Sequence, residues 1–360
     1  MDIKDIKVTL TQAPRPKPAK GEALGFGRLF ADHMFLMDYR GGDHGADWYD
    51  PRIVPYSNLE LEPSAMVFHY GQAAFEGMKA YTAKNGDILL FRPRMNFERQ
   101  NRSNNRLCMP ELDVEFALKA LKELLKIDKD WIPSEPGTSM YIRPFVIATD
   151  PFIGVRPSET YKFINILSPV GAYYPEGLAP IKINVETEYV RAVRGGLGFT
   201  KAAANYAASI KSQSKAKDLG YTQVLWLDAI ERKYIEEVGT MNVFFKIAGK
   251  LVTPALTGSV LPGVTRNSVI SLLNHFGYDV EERPVSIEEI KAASRDGLLE
   301  EAFGTGTAAV ISPIGVLAVD NEILELSDGK IGELSQKLYD ALTGIQYGDS
   351  EDVFNWIERV

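Results

Sequence analysis

Near its middle the chain carries Pro169-Val170-Gly171-Ala172-Tyr173-Tyr174-Pro175-Glu176-Gly177, a Pro/Gly/Tyr stretch too irregular to continue a strand or a helix. Such a break interrupts any single run of secondary structure. It therefore predicts two domains: an N-terminal α/β domain over 1–170, a linker over 171–180 and a C-terminal α/β domain over 181–360. A length of 360 residues agrees, because a typical domain takes about 150. Residues 1–24 read as an extended arm, since the prolines in Ala13-Pro14-Arg15-Pro16-Lys17-Pro18 remove donors and disfavour helix in their predecessors.

The apolar periods supply the elements. Ser64 to His69 reads as a strand, and Met78–Tyr81 and Ile88–Phe91 flank Lys84-Asn85-Gly86-Asp87, an Asn-Gly turn that closes a hairpin. A helix opened by Pro93 runs to about Leu107, and Phe116, Leu118, Leu121, Leu124 and Leu125 mark the next. Met140–Ala148 and Tyr161–Ser168 are strand-like. Beyond the linker, strands (Ile181–Val185, Gln223–Leu227, Met241–Ile247, Ala309–Val316) alternate with helical patterns (Ala202–Leu219, Arg266–Phe276, Ile287–Ser294), an α/β order that leaves the strand sequence within the sheet open.

Several function classes are disfavoured. Lys+Arg 40 against Asp+Glu 48 gives a formal charge of -8 with no segregated basic patch, which disfavours nucleic acid. No run of 18 apolar residues occurs, and Met1 to Lys20 is polar with no apolar signal core, so a cytoplasmic protein is expected. His33, His44, His69 and His275 are scattered and no Cys/His pair has zinc spacing, so no metal site is expected. The single cysteine, Cys108, reads as a small packed residue.

One lysine stands out. Gly195-Gly196-Leu197-Gly198-Phe199-Thr200 leads to Lys201 and the small-residue run Ala202-Ala203-Ala204-Asn205-Tyr206. It is not a Walker loop, because Ala202 rather than Ser or Thr follows the lysine. Small neighbours leave room around an amine, although a lone lysine in this position is most often a surface residue at a helix start. Glu236-Glu237 ahead of an apolar strand, the turn Gly304-Thr305-Gly306-Thr307-Ala308, and the helix start Leu261-Pro262-Gly263-Val264-Thr265 could hold charged or anionic groups. Each is equally compatible with a solvated turn or a tight bend.

These pieces, in this order, resemble the branched-chain aminotransferases, fold-type-IV enzymes dependent on pyridoxal phosphate. The likeness rests on Phe75-Glu76-Gly77-Met78-Lys79-Ala80, Arg92-Pro93 with Phe97-Glu98-Arg99, Tyr141-Ile142-Arg143-Pro144, Pro169 to Tyr173, Lys201 to Tyr206, Glu237 to Asn242, Leu261-Pro262-Gly263 and Gly306-Thr307-Ala308. The resemblance implies an α/β two-domain fold with a small N-terminal and a larger C-terminal domain and the cofactor between them. It also implies a homodimer exchanging amino groups between L-leucine, L-isoleucine or L-valine and 2-oxoglutarate.

By the same resemblance Lys201 bonds the cofactor and moves the proton. At a reference pKa near 10.4 its neutral form costs about 4.6 kcal/mol at pH 7, which a cramped site and a cationic cofactor would reduce. Glu237 would meet the ring nitrogen, Tyr206 the ring hydroxyl, and Arg99, Leu261, Val264, Thr265 and Thr307 would bind the cofactor, chiefly at its phosphate. Glu236 is expected to be a solvated neighbour, while Arg102 and Arg106 could form a basic exterior face. The substrate pocket would draw on Phe30, Tyr70, Phe75, Val155, Tyr173 and Thr240, with Tyr70 and Val155 supplied by the partner subunit. Tyr141 and the backbone at Thr307-Ala308 would hold the α-carboxylate, and Arg143 the distal carboxylate of glutamate.

Where some members carry a Cys-x-x-Cys, this chain has Ala309-Val310-Ile311-Ser312, so thiol regulation is not expected. A D-amino-acid aminotransferase or an aminodeoxychorismate lyase would share the fold, as would a non-catalytic binding protein. The Tyr141-x-Arg143 pair and Pro169 to Tyr173 favour the branched-chain enzyme.

Overall fold

The computed structural model describes every residue except 20, 42–44, 172–177 and 321, and the side chain of Ile3. Most of the expected linker therefore lies outside the described residues. Two compact units emerge: Met1–Pro175 with Thr200–Ala204 and Gly344–Val360, and Glu176–Phe199 with Asn205–Thr343. The expected C-terminal domain thus gives up two segments to the first unit. The reason is backbone pairing, since the last strand, Ile357–Arg359, pairs with Leu89–Phe91, and the Lys201 carbonyl accepts from the Phe75 amide at 3.0 Å.

The first unit holds β1 (Lys7–Val8), β2 (His33–Arg40), β3 (Asp47–Pro55), α1 (Met66–Tyr70), β4 (Ala73–Phe75), β5 (Met78–Thr82), β6 (Ile88–Phe91), α2 (Pro93–Arg106), α3 (Val114–Ile127), β7 (Ser139–Ala148) and β8 (Thr160–Val170). Its sheet runs β1-β3-β2-β8-β7-β5-β6 and then the last strand, with β4 on β7, and every pairing but β1 with β3 is antiparallel. The hairpin of β5 and β6 forms as expected, with Gly86 at φ +86° supplying the left-handed turn residue. Helix α3 starts where Asp113 accepts from the Phe116 amide, and its Leu121, Leu124 and Leu125 are fully buried. Each of those leucines contributes about 2 kcal/mol of transfer free energy.

Two expectations in this unit fail. Ser64–His69 is not a strand; a short helix over Met66–Tyr70 ends at Gly71, whose φ of +60° forms its left-handed cap. Short apolar runs do not separate the two periods. Cys108 is exposed rather than packed, because it sits just beyond α2 at φ +54°. There the Cys108 amide bonds the Asn105 carbonyl and the Met109 amide the Asn104 carbonyl, a Schellman closure that turns the side chain outward. The histidine of β2 has its own partners: His33 Nε2 accepts from the Thr11 amide at 2.9 Å while Nδ1 meets Asp128 at 2.6 Å, which pins the N-terminal arm.

The second unit holds β9 (Ile181–Glu186), α4 (Ala203–Asp218), β10 (Gln223–Leu227), β11 (Ile235–Val238), β12 (Asn242–Ile247), β13 (Lys250–Pro254), α5 (Val264–His275), β14 (Val280–Arg283), α6 (Ile287–Arg295), β15 (Leu299–Gly306), β16 (Val310–Val319), β17 (Glu322–Glu325) and α7 (Glu333–Gln346). The sheet runs β11-β10-β9-β16-β15-β12-β13-β14 with β17 on β16, mixing parallel and antiparallel pairs. Phe244 and Phe303 stack at 5.3 Å in its core. Among the described residues no helix is long and apolar enough to cross a membrane.

A Schellman position in the left-handed region costs a non-glycine residue about 1 kcal/mol. Cys108→Gly is expected to raise stability by up to ~1 kcal/mol, read as a higher thermal midpoint; a lower midpoint would refute the assignment.

Candidate active site

In the first unit the candidate residues gather around one buried ion pair. Glu76 is fully buried and Arg99 nearly so; Arg99 Nε and Nη2 reach Glu76 Oε1 and Oε2 at 2.8 and 2.9 Å, a bidentate pair. Asn96 Nδ2 adds a third donor to Oε2 at 2.9 Å, and the Glu76 amide bonds the Pro144 carbonyl at 2.7 Å. Burial alone would lift the carboxyl's pKa, but the Arg99 charge and hydrogen bonds, then Lys201 and Asn96, hold it below the ordinary value. Asn96 and Arg99 lie three apart on α2, which puts both on its buried face.

Lys201 joins this cluster through its backbone and its amine. Its amide bonds Ser103 Oγ at 2.9 Å, its carbonyl takes the Phe75 amide, and Nζ stands 5.1 Å from the Phe75 ring centre. Phe75 carries the Arg143 guanidinium at 4.6 Å from its ring centre as well. Tyr141 and Arg143 are two apart on β7 and so share a face, where Arg143 Nη2 donates to Tyr141 Oη at 3.0 Å. A Cβ at Gly77 would lie 2.3 Å from that Tyr141 oxygen, so glycine is required for the tyrosine to reach this position. Lys201, Phe75, Tyr141, Arg143 and Arg99 therefore belong to one neighbourhood.

The other first-unit candidates have contacts of their own. Phe30 stacks on Tyr56 at 5.0 Å. Tyr70 and Val155 are 41% and 87% exposed, and Tyr70 Oη donates to the Ile153 carbonyl. Tyr173 lies outside the described residues. Arg102 and Arg106 are exposed, on the outer side of α2.

In the second unit the anchor is Glu237, 2% exposed on β11. Its Oε1 accepts from the Leu261 amide at 2.7 Å and from Arg191 Nη2 at 3.0 Å. Asn242 Nδ2 donates to the Leu261 carbonyl at 2.9 Å, which holds the loop leading into α5. The cap residue of α5, Gly263, offers no side chain to its first amides; a Cβ there would lie 2.1 Å from Asn242 Oδ1. Val264 and Thr265 thus open a helix whose amino end suits an anion. Tyr206 sits on the first turns of α4, partly buried.

Thr240 occupies the tight turn closed by mutual Val238–Met241 backbone bonds, and Thr307 and Ala308 the turn between β15 and β16. Because Asn242 pairs with Thr305, the two turns share one end of the sheet, and Met241 packs against Gly304 and Gly306. Val310, closing the second turn, holds φ at +62°, an unusual conformation for a β-branched residue and the kind of strain found at ligand turns.

Sequence reasoning missed three participants. Glu76 stood in a quoted motif without a role, yet it fixes Arg99. Arg191 carried no signal, being a lone arginine between elements. Glu236, expected in solvent, is 6% exposed: neighbours on a strand face opposite ways, and its Oε1 accepts from Ser259 Oγ. Burial lifts its pKa above the ordinary carboxylate value, partly offset by Ser259 and Arg191.

The family model for amino-transferase class IV matches residues 73–316, more than half of the chain. The chain belongs to this family. Class IV members among the curated relatives include branched-chain-amino-acid aminotransferase 2 of Bacillus subtilis, 58% identical over 100% of this chain and 98% of the relative. A branched-chain-amino-acid aminotransferase of Mycolicibacterium smegmatis is 44% identical over 93% and 92% of the two chains. Among solved structures, the Escherichia coli branched-chain amino acid aminotransferase aligns at TM-score 0.75 and 27% identity, covering 91% of this chain and 98% of that one. The Thermobaculum terrenum enzyme in its PLP form aligns at TM-score 0.73 and 26% identity, over 90% and 97%. The expected α/β aminotransferase fold is thereby confirmed for this class IV chain.

The neighbourhood contains one more amine. Lys79, across β5–β7 from Tyr141, is 8% exposed, and burial lowers its pKa from 10.5 to about 8. A folded-state lysine with a depressed pKa costs stability below that pKa, and the cost fades as pH rises toward 10.5. The shift corresponds to about 3 kcal/mol at most. Lys79→Met is expected to stabilise the chain by about 1–3 kcal/mol at pH 7, with the gain shrinking as pH rises from about 8 to 10.5, as measured by urea denaturation at pH 7 and at pH 10.5.

Proposed function

We propose that the chain is a cytosolic, homodimeric branched-chain amino acid transaminase, moving the amino group of L-leucine, L-isoleucine or L-valine to 2-oxoglutarate with pyridoxal phosphate. The observation that carries this reading is Lys201, fixed at both backbone ends and set over Phe75 beside the Glu76–Arg99 pair. The full-length identity to branched-chain aminotransferases supports the substrate class.

Within the second unit the buried carboxylate of Glu237 suits a cationic ring and the amino-terminal helix end at Val264 and Thr265 suits a phosphate; within the first, the Arg99 guanidinium, held by Glu76, suits an anion. When bound, pyridoxal phosphate supplies a carbon that exchanges amino groups and a protonated ring that accepts the electron pair left at the substrate Cα. Glu237 would pair with the ring nitrogen, and Tyr206 would donate to the ring hydroxyl oxygen. Arg99, Leu261, Val264, Thr265 and Thr307 hold the cofactor through the phosphate and its approach. Lys201 Nζ is the group that would hold the cofactor and, as a free amine, would accept and return the substrate's Cα proton.

Substrates differ at their far ends, so the pocket needs both apolar walls and one cation. Phe30, Phe75, Tyr173 and Thr240 line it, while Tyr141 and the Thr307-Ala308 backbone hold the α-carboxylate. Arg143, which stacks on Phe75 and Tyr141, receives the distal carboxylate of glutamate. Tyr70 and Val155 belong to an exposed apolar group with Phe68, Phe152 and Ile153, a surface that suits a second copy of the chain completing that copy's pocket.

Lys201→Ala is expected to lose borohydride trapping of the cofactor and transaminase turnover; a variant still trapped on another lysine would overturn the assignment. Arg143→Ala should slow the half-reaction with glutamate at least tenfold more than that with leucine, followed through the cofactor spectrum, and equal losses would make Arg143 structural.

A further inference from the structure

Glu237 does not hold its position unaided. Arg191, in the segment between β9 and α4, is largely buried, and its Nη2 lies 3.0 Å from Glu237 Oε1, 3.1 Å from the Gly198 carbonyl and 2.5 Å from the Ser259 carbonyl. Gly198 has to be glycine here, since a Cβ would stand 2.2 Å from that same Ser259 oxygen. Ser259 is itself fully buried and donates its hydroxyl to Glu236. Two backbone carbonyls from separate loops thus fix the guanidinium, and the guanidinium with the Leu261 amide fixes one oxygen of Glu237.

Arg191 Nε is buried and has no hydrogen-bond partner among the described residues, so the contacts with Glu237, Gly198 and Ser259 are all made by Nη2. A buried pair of this kind adds little net stability, but it holds a carboxylate oxygen in place before any ligand arrives. Both bonds fall on Oε1, so the position of that oxygen is set by two independent donors.

We infer that Arg191 is a positioning residue that presents Glu237, oriented, to the cofactor's ring nitrogen, with Gly198 and Ser259 as its backbone anchors. This rests on the functional reading above. A glutamate has three side-chain torsions, and losing the guanidinium frees them. That freedom weakens the contact with a cationic ring. Lysine at 191 would keep the charge but lack the planar donors that span two carbonyls.

The test is a mutant cycle on the holoenzyme, with wild type, R191Q, R191K, E237Q and R191Q/E237Q. It compares the dissociation constant for pyridoxal phosphate, the leucine half-reaction rate and the apoenzyme thermal midpoint. R191Q is expected to weaken cofactor binding by about ten- to a hundredfold and R191K by about threefold. In the E237Q background the loss of Arg191 should add less than about threefold, because its effect runs through Glu237. Equal losses in both backgrounds would overturn the inference, as would an R191K variant no better than R191Q. R191K carries the comparison should R191Q fail to fold. A wild type that binds pyridoxal phosphate while R191Q binds it equally well overturns this inference alone; a wild type that takes up none overturns the functional reading with it.

Discussion

The first unit depends on an ion pair that water never reaches. Glu76 and Arg99 are tolerable in the interior only because they meet bidentately and Asn96 supplies a further donor. That requirement ties the turn between β4 and β5 to α2, and it fixes a guanidinium plane that no surface arginine would hold. Phe75, the residue before Glu76, is then locked in the backbone, and its amide captures the Lys201 carbonyl. The lysine is located by these neighbours rather than by its own helix, which begins only at Ala203.

The second unit uses the same device differently. Glu236 and Glu237 are adjacent on a strand, so pleating sends them to opposite sides, and each finds a buried partner reached through Ser259 or Arg191. One carboxylate bonds a hydroxyl and is pushed toward its neutral form; the other bonds a guanidinium and an amide. Two identical residue types thereby acquire different chemistry from their surroundings. The glycines at 198 and 263 serve this arrangement by allowing backbone and side chains to approach more closely than a Cβ permits.

Much of the element order could be read from periodicity. The Asn-Gly hairpin, α2 opened by Pro93, the leucine face of α3 and the strands at 139–148 and 160–170 follow from local chemistry. Harder cases had local reasons. No strand was expected over 47–55, where Pro51 and Pro55 interrupt the pattern; β3 tolerates them because it lies beside only the two-residue β1 on its outer side and needs few donors there. The α1 segment is too short for its period to declare itself, and Cys108 takes a left-handed turn that its residue type does not announce.

The candidate site divides along the same line. Lys201, Glu237, Arg99 and Arg143 were legible because their side chains sit within ordered motifs whose order alone is improbable. The sequence by itself determined which residue types are available, where most helices and strands begin, and which family those motifs resemble. Tertiary structure alone decided that Glu76 holds Arg99, that Arg191 holds Glu237 and that Glu236 is buried. Those pairings join residues 23 and 46 positions apart in the first two cases. Burial and charge neutralisation are properties of the packed chain, and no local pattern records which distant partner a buried charge will meet.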